Sequence, residues 1–500
     1  MSETPSSSDE KNPHHPPSSS CADFTLQLAD RCLDYRAEAQ WILLRKDDKP
    51  TAEMFCTAYT VAEASRPVTF VFNGGPGASS VYLHMGAMGP MRVNLDPKGL
   101  PLPNSPKLTE NEESWLAFTD LVFVDPIGTG LSRMIEDDKP KDGKAAADGN
   151  SETKKPTSEY WRLKRDLESI GEFVRSWLSN HHRWESPVFI AGESYGGYRV
   201  GKLAKILPKD YGVGLAGAII LSPALEFGLL DATHYNVLPW IDVFPTMAAA
   251  ALAHGLARKA KADEAPLDYA QRARDFALKE LMPLLTMGDL ISAAQRQRTL
   301  HAAADYIGLP REIVVRKGGR IDLTYFAKNL LRDQGRHLGL YDASVSVQDP
   351  FNEDDTLDAP DPTLHILERV FASGINTQLR QHIRLETDRD YNLISMQVNT
   401  AWKNDEQQHA LQSQFGAVDD LRYGMSLNDH MGVYITHGYY DLVTPFTSSD
   451  RLVALMRFTP AQRENLTLKH YPGGHMFYTW ESSRRELTTD IAAFYQKYNR

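Results

Sequence analysis

One stretch constrains the fold more than any other: PVFIAGESYGGYR, residues 187–199. Four apolar residues, Val188-Phe189-Ile190-Ala191, stop abruptly at Gly192-Glu193-Ser194-Tyr195-Gly196-Gly197. A short apolar run bounded by glycine reads as a buried strand. The segment after it, VGKLAKIL, is helix-compatible. A serine in Gly-x-Ser-x-Gly spacing between a strand and a helix is the nucleophile-elbow pattern. Glycines are needed there because the serine sits in a strained turn, where flanking side chains would strike neighbouring backbone. The five-residue pattern is weak by itself, and the strand before it and the helix after it give it weight.

The same texture repeats along the chain. VTFVFNGGPGASS (68–80) and LAFTDLVFVDPIGTG (116–130) each run from apolar residues into a glycine turn, and GLAGAIILSPAL (214–225) is a further buried strand. Between them, Trp161, Leu163, Leu167, Ile170, Phe173, Val174 and Trp177 fall at helical spacing, so residues 159–179 read as an amphipathic helix. Strands alternating with helices predict an α/β-hydrolase fold: a mostly parallel central sheet with helices on both faces. From residue 230 the texture changes to helical, Ala/Leu/Arg-rich sequence such as YAQRARDFALKELMPLL. Strand–turn patterns return at GVYITHGYYDLVTPF (432–446) and LTLKHYPGGHMFY (466–478), before a closing helix. The chain is therefore read as a disordered tail (1–22), a first core part (23–229), a mostly helical cap insertion (230–425) and a second core part (426–500). A cap of that kind suits a lid over an active site. Residues 136–158, highly charged and without period, read as a mobile surface loop.

Composition removes several classes of function. A net charge of −11 argues against a nucleic-acid partner. No run of about 18 apolar residues predicts a membrane span. The opening MSETPSSSDEKNPHHPPSSSCADF lacks a basic stretch followed by an apolar one, so a cytoplasmic location is expected. Three cysteines, Cys21, Cys32 and Cys56, cannot form a disulfide framework. No Cys/His spacing suggests a metal, and no cofactor is expected.

A serine hydroxyl needs a base to take its proton. In this fold the partners follow in the order Ser, Asp/Glu, His. Asp441 stands just past the apolar strand of YITHGYYDLVTP, and His475 stands in HYPGGHMFY, where two glycines let the loop bend towards the serine. Asp450, at a helix start, and His437 and His470, inside strand-like runs, are read as structural. The NGGPG loop (73–77) follows a strand at the place where such hydrolases carry their oxyanion loop. The backbone N–H groups of Gly75 and Tyr195 are the expected donors to a developing oxyanion.

The motifs FVFNGGPGASS…GAMGP, DPIGTGLS, GESYGGY, GYYDLVTPF and GGHMFY occur in the order found in serine carboxypeptidases (the carboxypeptidase C and cathepsin A family), which this chain resembles as a bacterial-type member. The resemblance implies a triad of Ser194, Asp441 and His475 with oxyanion donors Gly75 and Tyr195. It also implies a role for Glu193, which with Asn73 and the Gly74 N–H would bind the free carboxylate of a peptide substrate. Two carboxyl groups share a hydrogen bond only if one is protonated, so Glu193 should have a raised pKa and activity should favour acidic over alkaline pH. The chain departs from the family at three points. Ala87 stands where the family has a second Glu, Ala78 replaces the usual Cys after NGGPG, with the usual disulfides absent, and no secretory signal is seen. The expected activity is release of C-terminal residues from peptides. An esterase or acyltransferase on the same triad and a non-catalytic binding protein are the alternatives. The oligomeric state is left open, a homodimer included.

Overall fold

A computed structural model describes residues 14–63, 65–103, 106–135, 158–405 and 416–499. Nine strands carry the central sheet: β1 Ser20–Gln27, β2 Cys32–Lys46, β3 Lys49–Thr60, β4 Val68–Phe72, β5 Asp120–Val124, β6 Val188–Glu193, β7 Gly217–Leu221, β8 Gly432–Gly438 and β9 Leu466–Tyr471. Their order across the sheet is β1-β2-β3-β5-β4-β6-β7-β8-β9, with a two-residue strand, Arg133–Met134, pairing at the start of β3. From β5 to β9 every neighbouring pair is parallel. The β1–β3 ribbon and its junction with β5 are antiparallel. The carboxyl ends of the parallel strands therefore lie along one edge, where α/β sheets present their sites.

Side-chain alternation along each strand splits the protein into two cores. Val71, Phe123, Phe189, Ala191, Ile219 and Leu221 face one core. Phe70, Phe72, Val122, Ile190, Ile220 and Ile435 face the other. Nine longer helices are used below: α1 Leu163–Asn180, α2 Tyr195–Asp210, α3 Leu238–Ala253, α4 Pro266–Phe276, α5 Ala293–Ile307, α6 Pro362–Asn376, α7 Val418–Leu427, α8 Phe446–Leu455 and α9 Glu481–Tyr498. The apolar stripe of α1 is the one the sequence predicts. Leu167, Ile170, Phe173, Val174 and Trp177 are buried, and Trp177 meets Phe70 edge-on at 5.5 Å. Burying a side chain such as Phe173 contributes roughly 2–3 kcal/mol. Trp161 lies outside α1 in a separate 3₁₀ turn, Glu159–Trp161, because Arg162 is extended (φ −125°, ψ 142°).

The 230–425 block divides between cores. Helices α3, α4 and α5 build a cluster of their own around Phe244, Tyr269, Phe276 and Leu300. Helix α6 instead joins the first core through Leu367, Val370, Phe371 and Ile375. Helix α7 joins the second through Leu421 and Met425. Strand β1 begins at Ser20, inside the stretch expected to be tail. Residues 1–13 of that stretch, and residues 136–157 of the expected surface loop, lie outside the described residues.

Candidate active site

Strand β6 ends at Glu193 and α2 begins at Tyr195, so Ser194 is the whole turn. Its backbone is held at φ 60°, ψ −123°, a strained region for a non-glycine residue. Its shortest backbone hydrogen bonds fix it: the Ser194 N–H donates to the Leu221 carbonyl, and the Gly197 N–H to the Ser194 carbonyl, each at 2.9 Å. A Cβ at Gly192 would lie 2.2 Å from the Gly196 carbonyl oxygen, and one at Gly196 would lie 2.7 Å from that of Phe72. The elbow closes only without side chains at those two positions. The NGGPG loop abuts it so tightly that a Cβ on Gly74 would sit 2.6 Å from the Tyr195 nitrogen. Among the described residues, neither the Gly75 nor the Tyr195 N–H has a protein acceptor. Both amides are free to serve an oxygen of a bound molecule.

Asp441 follows β8 and His475 follows β9, and the parallel register that pairs Gly438 with Tyr471 brings the two loops together. His475 Nδ1 lies 2.6 Å from Asp441 Oδ2. With the Nδ1 proton directed at that carboxylate, Nε2 is the nitrogen left to accept a proton. Asp441 Oδ1 accepts the backbone N–H groups of Val443 (2.9 Å) and Thr444 (3.0 Å). The Thr444 hydroxyl lies 2.6 Å from Oδ2 and 3.0 Å from His475 Nδ1, bracing the pair. The His475 main chain is pinned at both ends, its N–H to the Tyr341 carbonyl at 2.5 Å and its carbonyl by the Ser222 hydroxyl at 2.7 Å. The Tyr341 ring stands perpendicular to the imidazole at 5.2 Å. Burial works against an imidazolium here, but the adjoining Asp441 carboxylate outweighs it and holds His475 above its ordinary value.

The other residues weighed in the sequence lie elsewhere. His470 Nε2 meets Asp450 at 2.8 Å, and Asp450 also takes Arg274 at 3.0 Å. His437 is buried against the Ser449 hydroxyl (2.7 Å) and the Thr444 carbonyl (3.1 Å), and burial pushes its pKa well down. None of the three lines the cavity described next.

A cavity of about 610 Å³ is lined by Ser194, His475, Asn73, Gly75, Tyr195 and Glu193, among others. Glu193 is only 2% exposed. Its carboxyl accepts the Asn73 side-chain amide and, on both oxygens, the Tyr478 hydroxyl at 3.0 and 2.9 Å. The Asn73 side chain is oriented by the Leu83 N–H on its oxygen (3.1 Å). The Asn73 carbonyl is held by Arg199 (2.9 Å), itself paired with Asp166. Burial pushes the Glu193 pKa up to about 7, opposed by the charge of His475 and by the hydrogen bonds from Tyr478 and Asn73. Ala87 is buried in the short helical segment 81–88. The Tyr478 ring packs against that segment, 2.9 Å from where a Cβ on Gly86 would stand. A phenol from the far end of the chain thus supplies Glu193 with a partner beside the segment that holds Ala87.

A sequence model of the serine carboxypeptidase family matches residues 38–499, nearly the whole chain. The chain belongs to the serine carboxypeptidase family. Among curated members of the family, serine carboxypeptidase-like 33 of Arabidopsis thaliana is 27% identical over 191 residues, covering 34% of this chain and 33% of that protein. Serine carboxypeptidase-like 45 of the same plant is 31% identical over 206 residues, covering 38% and 36%. The pheromone-processing carboxypeptidase KEX1 of Saccharomyces cerevisiae is 30% identical over 162 residues, covering 30% and 19%. The matched stretches thus span about a third or less of the length of these relatives.

The structure brings all eight residues singled out in the sequence of this carboxypeptidase-family chain to one place. Seven of them line the cavity. The eighth, Asp441, lies behind His475. Sequence reasoning missed Thr444, Tyr478 and Tyr341. Thr444 had a signal, a hydroxyl three residues after the Asp. Tyr478 had a fainter one, an aromatic three residues after the His. Tyr341 lies in the helical block, where no motif marks it. Among the described residues, no group of His, Cys, Asp and Glu could hold a metal ion, and no helix is long and apolar enough to cross a membrane.

Proposed function

We propose that this chain is a serine-type carboxypeptidase acting through an acyl-enzyme. Ser194 Oγ attacks the carbonyl of the last peptide bond while His475 Nε2 takes its proton. Asp441 orients the imidazole and stabilises its cation. The Gly75 and Tyr195 amides receive the oxyanion, a contribution of about 3 kcal/mol per donor by analogy with other such sites. His475 returns the proton to the leaving amine, then activates water to release the acyl group. The Asn73 side chain, the Gly74 N–H and a protonated Glu193 hold the free carboxylate of the leaving residue.

The observation that carries the reading is Glu193 itself. A carboxyl group buried directly before the nucleophile, with a pKa near 7, lines a cavity that has no Lys or Arg among its described lining residues. Such a group can donate a hydrogen bond to a carboxylate, as a cation would elsewhere, as long as it stays protonated. The test compares three substrates at pH 6: a blocked dipeptide, its C-terminal amide and a simple ester. Cleavage of the acid well above the amide supports the proposal. Equal turnover of acid and amide refutes carboxylate recognition, and turnover of the ester alone makes the chain an esterase. Labelling by a fluorophosphonate, abolished in Ser194→Ala, separates an active serine from a binding protein.

A further inference from the structure

Gly74 and Gly75 both line the cavity, and the peptide group before each is held by its carbonyl. Both peptides are trans. In a trans peptide the C=O and the N–H point in opposite directions, so a bond to the carbonyl sets where the N–H looks. The Gly74 carbonyl accepts the Ala78 N–H at 3.1 Å, which fixes the Gly75 amide from within the loop. The Asn73 carbonyl accepts a hydrogen bond from Arg199 Nη1 at 2.9 Å, which fixes the Gly74 amide from outside it. Among the described residues the Gly74 N–H has no protein acceptor.

Arg199 itself is fixed on every side. It stands one turn after Tyr195 on α2, so its guanidinium folds back over the Tyr195 ring at 4.8 Å. The Trp402 ring, just past the short helix Met396–Ala401, lies 5.8 Å from it. Asp166 of α1 takes Nε at 2.8 Å and Nη2 at 3.1 Å. Arg199 is 1% exposed and Asp166 2%. A buried ion pair contributes little net stability, because desolvation offsets its attraction. What this one supplies is geometry: a rigid, planar fork with its third nitrogen aimed at the Asn73 oxygen. A cation on that oxygen also polarises the peptide and makes the Gly74 N–H a stronger donor. We propose that Arg199, braced by Asp166, is a positioning residue for specificity. It aims the Gly74 amide at the free carboxylate of the leaving residue, and leaves the Gly75 oxyanion amide to the loop itself. This rests on the reading of Asn73, Gly74 and Glu193 as the carboxylate-binding group.

The test variant is Arg199→Met/Asp166→Leu, which removes both charges together and leaves neither buried alone. kcat and KM are measured at pH 6 on a blocked dipeptide and on its C-terminal amide. The wild type should favour the acid. In the variant the acid-to-amide ratio of kcat/KM should fall about tenfold, the range of one charge-assisted hydrogen bond. The loss should appear as a higher KM for the acid, with kcat changed by less than about threefold. A merely structural role would lower both substrates in step. Arg199→Lys keeps a cation against Asp166 and so protects the fold, but a point charge does not replace the fork, and its ratio should fall in between. The lysine variant decides the matter if the double variant does not fold. A ratio unchanged from wild type, or acid and amide falling together, overturns the role of Arg199 and leaves the carboxylate reading standing. A wild type that cleaves acid and amide alike overturns both.

Discussion

The pH profile of kcat/KM on a free-acid peptide is the sharpest consequence of the Glu193 environment. Two groups set it. His475 must be neutral to act as a base, and its pKa is raised, so activity climbs with pH above the ordinary histidine range. Glu193 must be protonated to share a hydrogen bond with the substrate carboxylate, and its pKa is about 7, so activity on acids falls tenfold per pH unit above that point. The groups interact, so the two limbs report the pair, giving a narrow bell. The perturbation is Tyr478→Phe. The Tyr478 hydroxyl donates to both Glu193 oxygens and therefore favours the ionised form. Removing a hydrogen bond to a charged acceptor costs that form about 1.5–3 kcal/mol. At 1.36 kcal/mol per unit, the Glu193 pKa rises by about one to two units. The falling limb moves from about pH 7 to about pH 8–9, and activity on acids at pH 8 rises roughly five- to tenfold, although a hydrogen bond has been removed. Glu193→Gln, a permanent donor, should abolish the falling limb. The assay is kcat/KM from pH 5 to 9.5 on a blocked dipeptide and on its amide, for wild type and both variants. The reasoning is refuted if the amide shows the same falling limb, or if Tyr478→Phe leaves the limb in place or moves it to lower pH.

Other consequences are simpler. Asp441→Asn keeps the shape of the site but presents the wrong hydrogen-bonding group to His475, so kcat should fall by about 10⁴ with circular dichroism unchanged. Thr444→Val removes the hydroxyl 2.6 Å from Asp441 Oδ2 and should cost about tenfold in kcat with little change in KM. Gly192→Ala places a methyl 2.2 Å from a backbone oxygen and should destabilise by about 3 kcal/mol in urea denaturation. Gly214→Ala, with nothing within 4 Å of its Cβ, should stay within about 0.5 kcal/mol. In the helical block, Lys328 and Asp349 form a fully buried pair at 2.6 Å. Lys328→Met leaves a buried carboxylate unpaired and should cost about 3–5 kcal/mol, most of it recovered in Lys328→Met/Asp349→Asn.

The parts of this protein legible in the sequence are those whose physics is local. An apolar strand ending in Gly-x-Ser-x-Gly identifies itself, because the clash at Gly192 and Gly196 is between neighbours in the chain. Strands β4 to β9 are short runs, all but β7 ending in a glycine-containing turn, and all six stand where the pattern puts them. The β1–β3 ribbon carries no such local signal. Its long strands carry charged residues on an exposed face, and β2 changes its buried side near Trp41 and Ile42, which enter different cores. Neither period holds along the whole of it. The helical block was legible as helical but not as divided. What sends α6 to one core and α3 to another is their partners, not their own sequence.

The site follows the same rule with one instructive exception. Asn73, Gly74, Gly75, Glu193, Ser194, Tyr195, Asp441 and His475 carry their signals in short motifs, and the sheet register alone is enough to gather them. Position 87 looks in the sequence like a loss, a carboxyl replaced by a methyl. In three dimensions Glu193 still has a second donor, because Tyr478 reaches it from 285 residues away. A phenol is protonated at every physiological pH, whereas a second carboxyl would share its proton with Glu193 and lose it in turn. Tyr478 therefore keeps Glu193 oriented, and under the proposed carboxylate-binding role the titration of Glu193 alone would govern that binding. Under that proposal, a substitution that reads as damage becomes a change in what governs the site, from a coupled pair of acids to a single one.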